Sequence, residues 1–329
     1  MTTLAPTLQA FFTERLATQR HASPNTVASY RDTFRLLLGF AQAHTGRPPA
    51  KLQLEDLDAP LIGAFLEHLE HDRLNSVRTR NNRLAAVHSL FRYAALRHPD
   101  HADLIHRVLA IPNKRVDREL VCFLTSAEID VLVSAPDPDT WIGRRDRTLL
   151  LVAVQTGLRV SELTALTCGD VTLSTGAHVR CTGKGRKERI TPLTAQATQA
   201  LQIWLAERGG VPTEPLFPSR RGGALSRDAV ALLVSKHVAA ARILCPTLAT
   251  KTVSPHVLRH TCAMQLLAVG TDVTVIALWL GHEQIDSTNI YLHADLGIKE
   301  RALARTTPAH IAPGRYRPSD KLLAFLEGL

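Results

Sequence analysis

Four tyrosines occur in the chain: Tyr30, Tyr93, Tyr291 and Tyr316. A phenol with an ordinary pKa near 10 is a weak nucleophile, and it needs an adjacent base and cationic surroundings before it attacks anything. Tyr30 and Tyr93 fall on apolar helical stripes and read as core, while Tyr316 lies between arginines in the tail. Tyr291 closes a series of polar strings: Thr156-Gly157-Leu158-Arg159-Val160-Ser161-Glu162-Leu163, Gly183-Lys184-Gly185-Arg186-Lys187-Glu188-Arg189, His256-Val257-Leu258-Arg259-His260, Leu280-Gly281-His282 and Thr288-Asn289-Ile290-Tyr291. The chemistry open to such a set is attack on a phosphodiester. The five-coordinate state carries extra charge on the non-bridging oxygens, and without a metal that charge needs fixed cationic donors.

Each string also admits a plainer reading. His256 and His260 are an i, i+4 pair, which is a metal-binding spacing. A third ligand and a glutamate between the histidines are the usual company of such a site, whereas Val257, Leu258 and the cation Arg259 intervene here. No metal is expected, and His260 reads as a structural residue or one that supports the groups doing the chemistry. Lys184 stands between glycines at an expected hairpin tip, where backbone can approach a strand closely. Lys187 follows three residues on, and spacing does not separate the two lysines. Glu162 either supports the site or is a helix-surface acid.

The elements that must position these groups fall into two sets. Ser23-Pro24 opens a helix carrying Val27, Tyr30, Phe34, Leu37, Leu38 and Ala41, ended by Gly46, Pro48 and Pro49. A second helix spans about 60–71. A third spans about 76–97, with Leu84, Val87, Phe91 and Ala94 as its apolar stripe and Arg78, Arg80, Arg83 and Arg92 opposite. That arginine side, short of matching acids, is either a solvated face or a phosphate-facing one. Residues 112–121 are irregular and charged, as an interdomain linker would be. Thr125-Ser126-Ala127-Glu128 is a capping box. Helix about 144–155 follows, then short strands over 170–193 with turns at Ser174-Thr175-Gly176 and Gly183-Lys184-Gly185. Helices are expected at 195–208, 226–242, 255–269, 272–280 and about 287–295, with Gly270 and Gly281 at C-terminal caps. A small sheet in a mostly helical second domain makes it α+β.

A formal net charge of +9, mostly from arginine, suits a polyanionic partner. The five cysteines form no CxxC pair, and neither a signal segment nor an apolar run of membrane-spanning length is present. The chain is therefore expected to be soluble and cytoplasmic. With no GxGxxG or GxxxxGK[ST] loop, nucleotide hydrolysis is not expected to drive its chemistry.

The five strings, in this order and with nine residues from His282 to Tyr291, resemble the tyrosine recombinase (phage integrase) family, Xer recombinases included. The resemblance implies an N-terminal helical core-binding domain over 1–111, a linker over 112–121, a catalytic domain over 122–306 and a tail over 307–329. It implies a site-specific recombinase that cleaves and rejoins DNA through a 3′-phosphotyrosyl intermediate, with neither cofactor nor ATP. Tyr291 is then the nucleophile. Arg159, Arg259 and His282 bind the phosphate, His256 assists proton transfer, Lys184 is the general acid with Lys187 its rival, and Glu162 supports the site. Arg78, Arg80, Arg83, Arg186, Lys187 and Arg189 are expected on DNA. Double-stranded DNA with inverted-repeat sites is the implied partner, bound by a homotetramer or by a pair with a related recombinase. The segment Leu322, Leu323, Phe325 and Leu326 is either exchanged between subunits or docked on its own domain.

Two alternatives stay open on sequence grounds. A type IB topoisomerase uses a similar residue set, and a DNA-binding regulator could retain an idle site. No arm-binding segment is expected before the first helix, and the string Ile276-Ala277-Leu278-Trp279-Leu280-Gly281-His282, followed by Ala294-Asp295 and Lys299-Glu300-Arg301-Ala302-Leu303, looks more like recombinases of mobile elements.

Overall fold

The computed structural model describes residues 3–116, 121–183, 188–282, 288 and 291. Contacts divide the chain into two compact units, Met1–Arg118 and Glu119–Leu329.

The first unit is helical. α1 (Leu4–Ala10) continues in π-type turns over Phe11–Gln19. α2 (Pro24–Thr45) starts where the Ser23 hydroxyl accepts the Thr26 amide, and it stops at Gly46, whose φ of 69° is left-handed. α3 (Ala59–His71) is capped by Asp58, and α4 (Val77–Ala95) by Ser76. α5 (Ala102–Leu109) closes the unit. Phe11 is the hub of its core, packed against Phe12, Tyr30, Phe34 and Tyr93. The Tyr93 hydroxyl reaches Glu14 at 3.1 Å.

Two sequence expectations change here. Neither α1 nor α5 was anticipated, because the first lacks a side-chain cap and carries Pro6, while the second is only eight residues long. Arg80 does not face outward. It is 6% exposed, and its Nη1 donates to the Pro112 carbonyl at 3.1 Å. Asn81 adds two bonds to Lys114, and Lys114 Nζ pairs with Glu70, so the start of the expected free linker is stitched to α4 and α3. Arg78 is exposed, as a phosphate-facing residue must be, whereas Arg83 is partly buried. Burial, with Arg73 nearby, lowers the pKa of the Arg83 guanidinium.

The second unit combines helices packed on one another with a three-stranded antiparallel sheet. α6 (Ser126–Ser134) begins at the Thr125–Glu128 capping box. α7 (Trp141–Thr156) starts earlier than expected, at the Thr140 cap, and ends at Gly157 with φ of 63°. A side chain at Gly157 would also place its Cβ 2.7 Å from Leu280 Cδ2. α8 (Val160–Ala165) leads through a short turn into β1 (Val171–Thr172), β2 (His178–Thr182) and β3 (Glu188–Pro192). The sheet order is β1-β2-β3, and Cys181 lies opposite Arg189. α9 (Ala195–Arg208), α10 (Arg227–Leu244), α11 (Pro255–Ala268) and α12 (Val273–Leu280) complete the described helices. A buried ion cluster ties α7 to α10: Asp146 accepts from Arg145 at 2.6 Å and lies 2.9 Å from His237 Nε2. Among the described residues no helix is long and apolar enough to cross a membrane. The helix expected near 287–295 lies outside the described residues apart from Thr288 and Tyr291.

Candidate active site

Three turns of backbone bring the polar strings together. Gly157 ends α7 and turns the chain so that Arg159 caps α8. There its backbone N–H donates to Glu162 Oε2 at 2.7 Å and its Nη1 to Oε1 at 2.8 Å. α11 runs alongside α7 and carries Arg259, whose Nη1 donates to the Gly157 carbonyl at 2.7 Å. α12 ends at Gly281, in the left-handed conformation with φ of 64°, and this presents His282 beside them. The same end of α12 accepts from the arginines, Leu280 O from Arg259 Nη2 at 2.7 Å and Gly281 O from Arg159 Nη2 at 2.9 Å. Carbonyls at a helix C-terminus carry the negative end of its dipole, so they attract and orient guanidinium groups.

Burial is graded across these cations. The Arg159 side chain is 35% exposed, while Arg259 is almost fully enclosed. Desolvation, with Arg159 nearby, pushes the Arg259 guanidinium down to about 10, and it remains charged at neutral pH. Glu162, with its side chain 4% exposed, is still held at about 2. Burial works against its ionisation, and bonds from Arg189 and from the Arg159 backbone overcome it. This geometry decides between the two readings of Glu162: it is a buried anchor rather than a surface acid.

Arg189, expected on DNA, is the main departure. Its Nη1 and Nη2 donate to the two Glu162 oxygens at 2.8 and 2.7 Å, and its Nε to the Trp279 carbonyl at 3.2 Å. The strand explains why this was missed. In β3 the inward positions are Arg189 and Thr191, while the apolar Ile190 is 61% exposed, so its alternation reads inside out.

Tyr291 is 1% exposed and packs with Ala263, Met264, Leu267, Ile276 and Leu280. Its hydroxyl lies 3.0 Å from Nδ1 of His260, the residue read from sequence as structural or supporting. Burial raises the phenol to about 12, against the opposing pull of Arg259 and Arg159. Burial lowers His260 to about 4, with His256 and Arg259 adding to the effect. His256 lies exposed at the start of α11, its ring 4.2 Å from that of His260. His282 is lowered to about 4 by desolvation and by Arg259, Arg159 and Arg189, and its Nδ1 lies 2.7 Å from the Thr288 hydroxyl. The Tyr291 amide donates to the Thr288 carbonyl at 3.0 Å, so Thr288 links the histidine to the tyrosine. Thr288 had no role on sequence, although it stands in the same string as Tyr291. Lys184, Arg186 and Lys187 lie outside the described residues, as does the chain after Tyr291. Among the described residues no group of three or more His, Cys, Asp or Glu side chains is arranged to hold a metal.

A buried phenol within the field of two arginines, beside a neutral imidazole, can serve as a nucleophile once a phosphate is brought to those arginines. Residues 122–296 match the phage integrase family, and residues 10–98 match the phage integrase N-terminal SAM-like domain. The chain is 54% identical over 326 residues to y4rC of Sinorhizobium fredii, named provisionally as an integrase/recombinase, covering 99% of this chain and 98% of that one. It is 36% identical over 291 residues to the tyrosine recombinase XerC of Pelobacter propionicus, covering 87% of this chain and 90% of the relative. The fold is similar to that of XerH site-specific recombinase bound to a palindromic difH substrate, with a TM-score of 0.67, 23% identity and coverage of 87% and 81%. It is also similar to the Tn1549 transposon integrase bound to a circular-intermediate DNA, with a TM-score of 0.69, 18% identity and coverage of 93% and 100%. The chain belongs to the phage integrase family of tyrosine recombinases, enzymes that break and rejoin DNA.

Proposed function

We propose that this chain is a site-specific DNA recombinase in which Tyr291 attacks a backbone phosphorus, forming a 3′-phosphotyrosyl ester and releasing a 5′ hydroxyl. The observation that carries this reading is the placement of Tyr291 within the field of Arg259 and Arg159, with His260 on its hydroxyl. Arg159 and Arg259 take the non-bridging oxygens, already oriented by the end of α12, so little reorganisation is needed at the moment of reaction. Burial and the neighbouring arginines disfavour the charged form of His282, so it donates to the phosphate as the Nε2–H tautomer. A Thr288 hydroxyl donating to Nδ1 selects that tautomer. Lys184 protonates the departing 5′ oxygen, and His256 assists proton transfer. The arginines supply the charge that a metal would otherwise bring, and the phosphotyrosyl ester conserves bond energy for religation, so neither metal nor ATP is required.

The partner is double-stranded DNA with inverted-repeat sites, held in the cytoplasm by a homotetramer or by a pair with a related recombinase, with the core-binding helices over 1–111 and the catalytic domain over 122–306. A role in a mobile element rests on the string from Ile276 to His282 and on the span Lys299 to Leu303.

The test is adduct formation. Full-length protein is incubated with a nicked duplex library of random sequence, and protein–DNA adducts that survive SDS are collected and sequenced. The expected outcome is an adduct at a recurring sequence that Tyr291→Phe abolishes while DNA binding persists. No adduct with the wild type, or an undiminished one with Tyr291→Phe, would overturn the reading.

A further inference from the structure

Three consecutive carbonyls at the end of α12 each accept from a different arginine. Trp279 O takes Arg189 Nε at 3.2 Å, Leu280 O takes Arg259 Nη2 at 2.7 Å, and Gly281 O takes Arg159 Nη2 at 2.9 Å. The proposed phosphate chemistry accounts for Arg159 and Arg259 but leaves Arg189 without a task. All three Arg189 nitrogens are engaged within the protein, and its side chain is 12% exposed.

We propose that Arg189 is a positioning residue: with Glu162 it holds Arg159 in register with the end of α12, and it makes no contact with DNA. The inference rests on the phosphate-binding reading of Arg159.

The reason is competition for one carboxylate. Glu162 Oε1 accepts from Arg159 Nη1 and Arg189 Nη1, both at 2.8 Å, and Oε2 accepts from the Arg159 backbone and Arg189 Nη2, both at 2.7 Å. Guanidinium and carboxylate favour a bidentate fork, and Arg189 occupies that fork. Arg159 is left with one side-chain bond to Glu162 and a second arm on Gly281. Without Arg189, the buried carboxylate has only the Arg159 guanidinium to pair with directly and draws it inward, off Gly281. The reacting arginine is then displaced, although no phosphate contact has been removed.

The charged and titratable groups around Glu162 are Arg159 on its own turn, Arg189 from β3, Arg259 from α11 and Cys181 from β2, with His282 beside the same arginines. Arg189 provides the largest of the interactions that favour the ionised carboxylate. Its loss therefore raises the Glu162 pKa, and the carboxylate protonates as pH falls through the new value. Cleavage by Arg189→Gln thus falls off at a higher pH on its acid side than wild-type cleavage does.

The experiment uses full-length wild type, Arg189→Gln and Arg189→Lys on one duplex recovered by wild-type adduct capture from the random nicked library. It reads single-turnover cleavage at saturating DNA against pH, and the salt dependence of DNA binding. The expected result for Arg189→Gln is cleavage about 10²-fold slower, as for a reacting group misplaced by an ångström or so. The acid side of its pH profile lies higher than that of the wild type, and the salt slope is unchanged. Arg189→Lys falls between, because an ammonium pairs with the carboxylate at one point only. Wild-type cleavage in both variants overturns the proposal. So does a salt slope lowered by about one with normal cleavage at saturation, which marks a phosphate contact. If Arg189→Gln fails to fold, Arg189→Lys decides by the same readouts. Failure of the wild type to capture any duplex sinks the functional reading itself, an outcome distinct from capture followed by a normal rate in the variants.

Discussion

The two arginine groups of this molecule are built on opposite principles. On α4 the arginines are distributed along a helix: Arg78 and Arg92 are exposed, and Arg80 is turned inward onto Pro112. Around the end of α12, Arg159, Arg189 and Arg259 are each fixed by at least two bonds to backbone or carboxylate. Exposed cations on a helix face are suited to salt-dependent affinity, whereas cations held in place are suited to supplying rate. Residue type therefore says little about an arginine's task, and its anchoring says much.

The sharpest way to break this contrast is at Arg259. Arg259→Gln should lower cleavage by about 10²–10³-fold while DNA affinity stays within a few-fold, measured by adduct formation and by binding at fixed salt. A loss confined to affinity would place Arg259 with the α4 group. Arg80→Ala tests the exception on α4. It should cost about 1–3 kcal/mol of stability in urea denaturation by leaving the Pro112 carbonyl short of a donor, and leave the salt slope of DNA binding unchanged. Gly281→Ala should cost about 1–2 kcal/mol for its left-handed backbone. Its Cβ would also sit 2.9 Å from Arg189 Nη1, so a cleavage defect should accompany the lower urea midpoint. The smallest effect is expected from Arg78→Ala: affinity a few-fold weaker, a salt slope reduced by about one and an unchanged cleavage rate at saturating DNA. A rate defect there would erase the distinction.

The elements that position the site could be read from local chemistry. Ser23-Pro24, the Thr125–Glu128 box, Gly157 and Gly281 mark helix ends through caps that depend only on neighbouring residues. The contacts that complete the site join residues far apart in sequence, such as Arg189 with Glu162 and His260 with Tyr291, and no local pattern encodes them. One signal was available. Arg80 is in phase with Leu84, Val87, Phe91 and Ala94, on the apolar stripe rather than opposite it. Ile190 gave the reverse signal, since an outward apolar residue in β3 disguised Arg189 as a surface cation.

The end of α12 also settles how much charge the site keeps. Carboxylates are the usual way to hold buried arginines, and each one neutralises what it holds. Here three guanidiniums are steadied largely by the neutral carbonyls of Trp279, Leu280 and Gly281, and by Glu162 as their only carboxylate partner in the described hydrogen bonds. Three cations against one anion leave two positive charges standing in a partly desolvated pocket. Peptide dipoles orient the arginines without cancelling them, so the cluster stays attractive to a polyanion while each guanidinium is held in place.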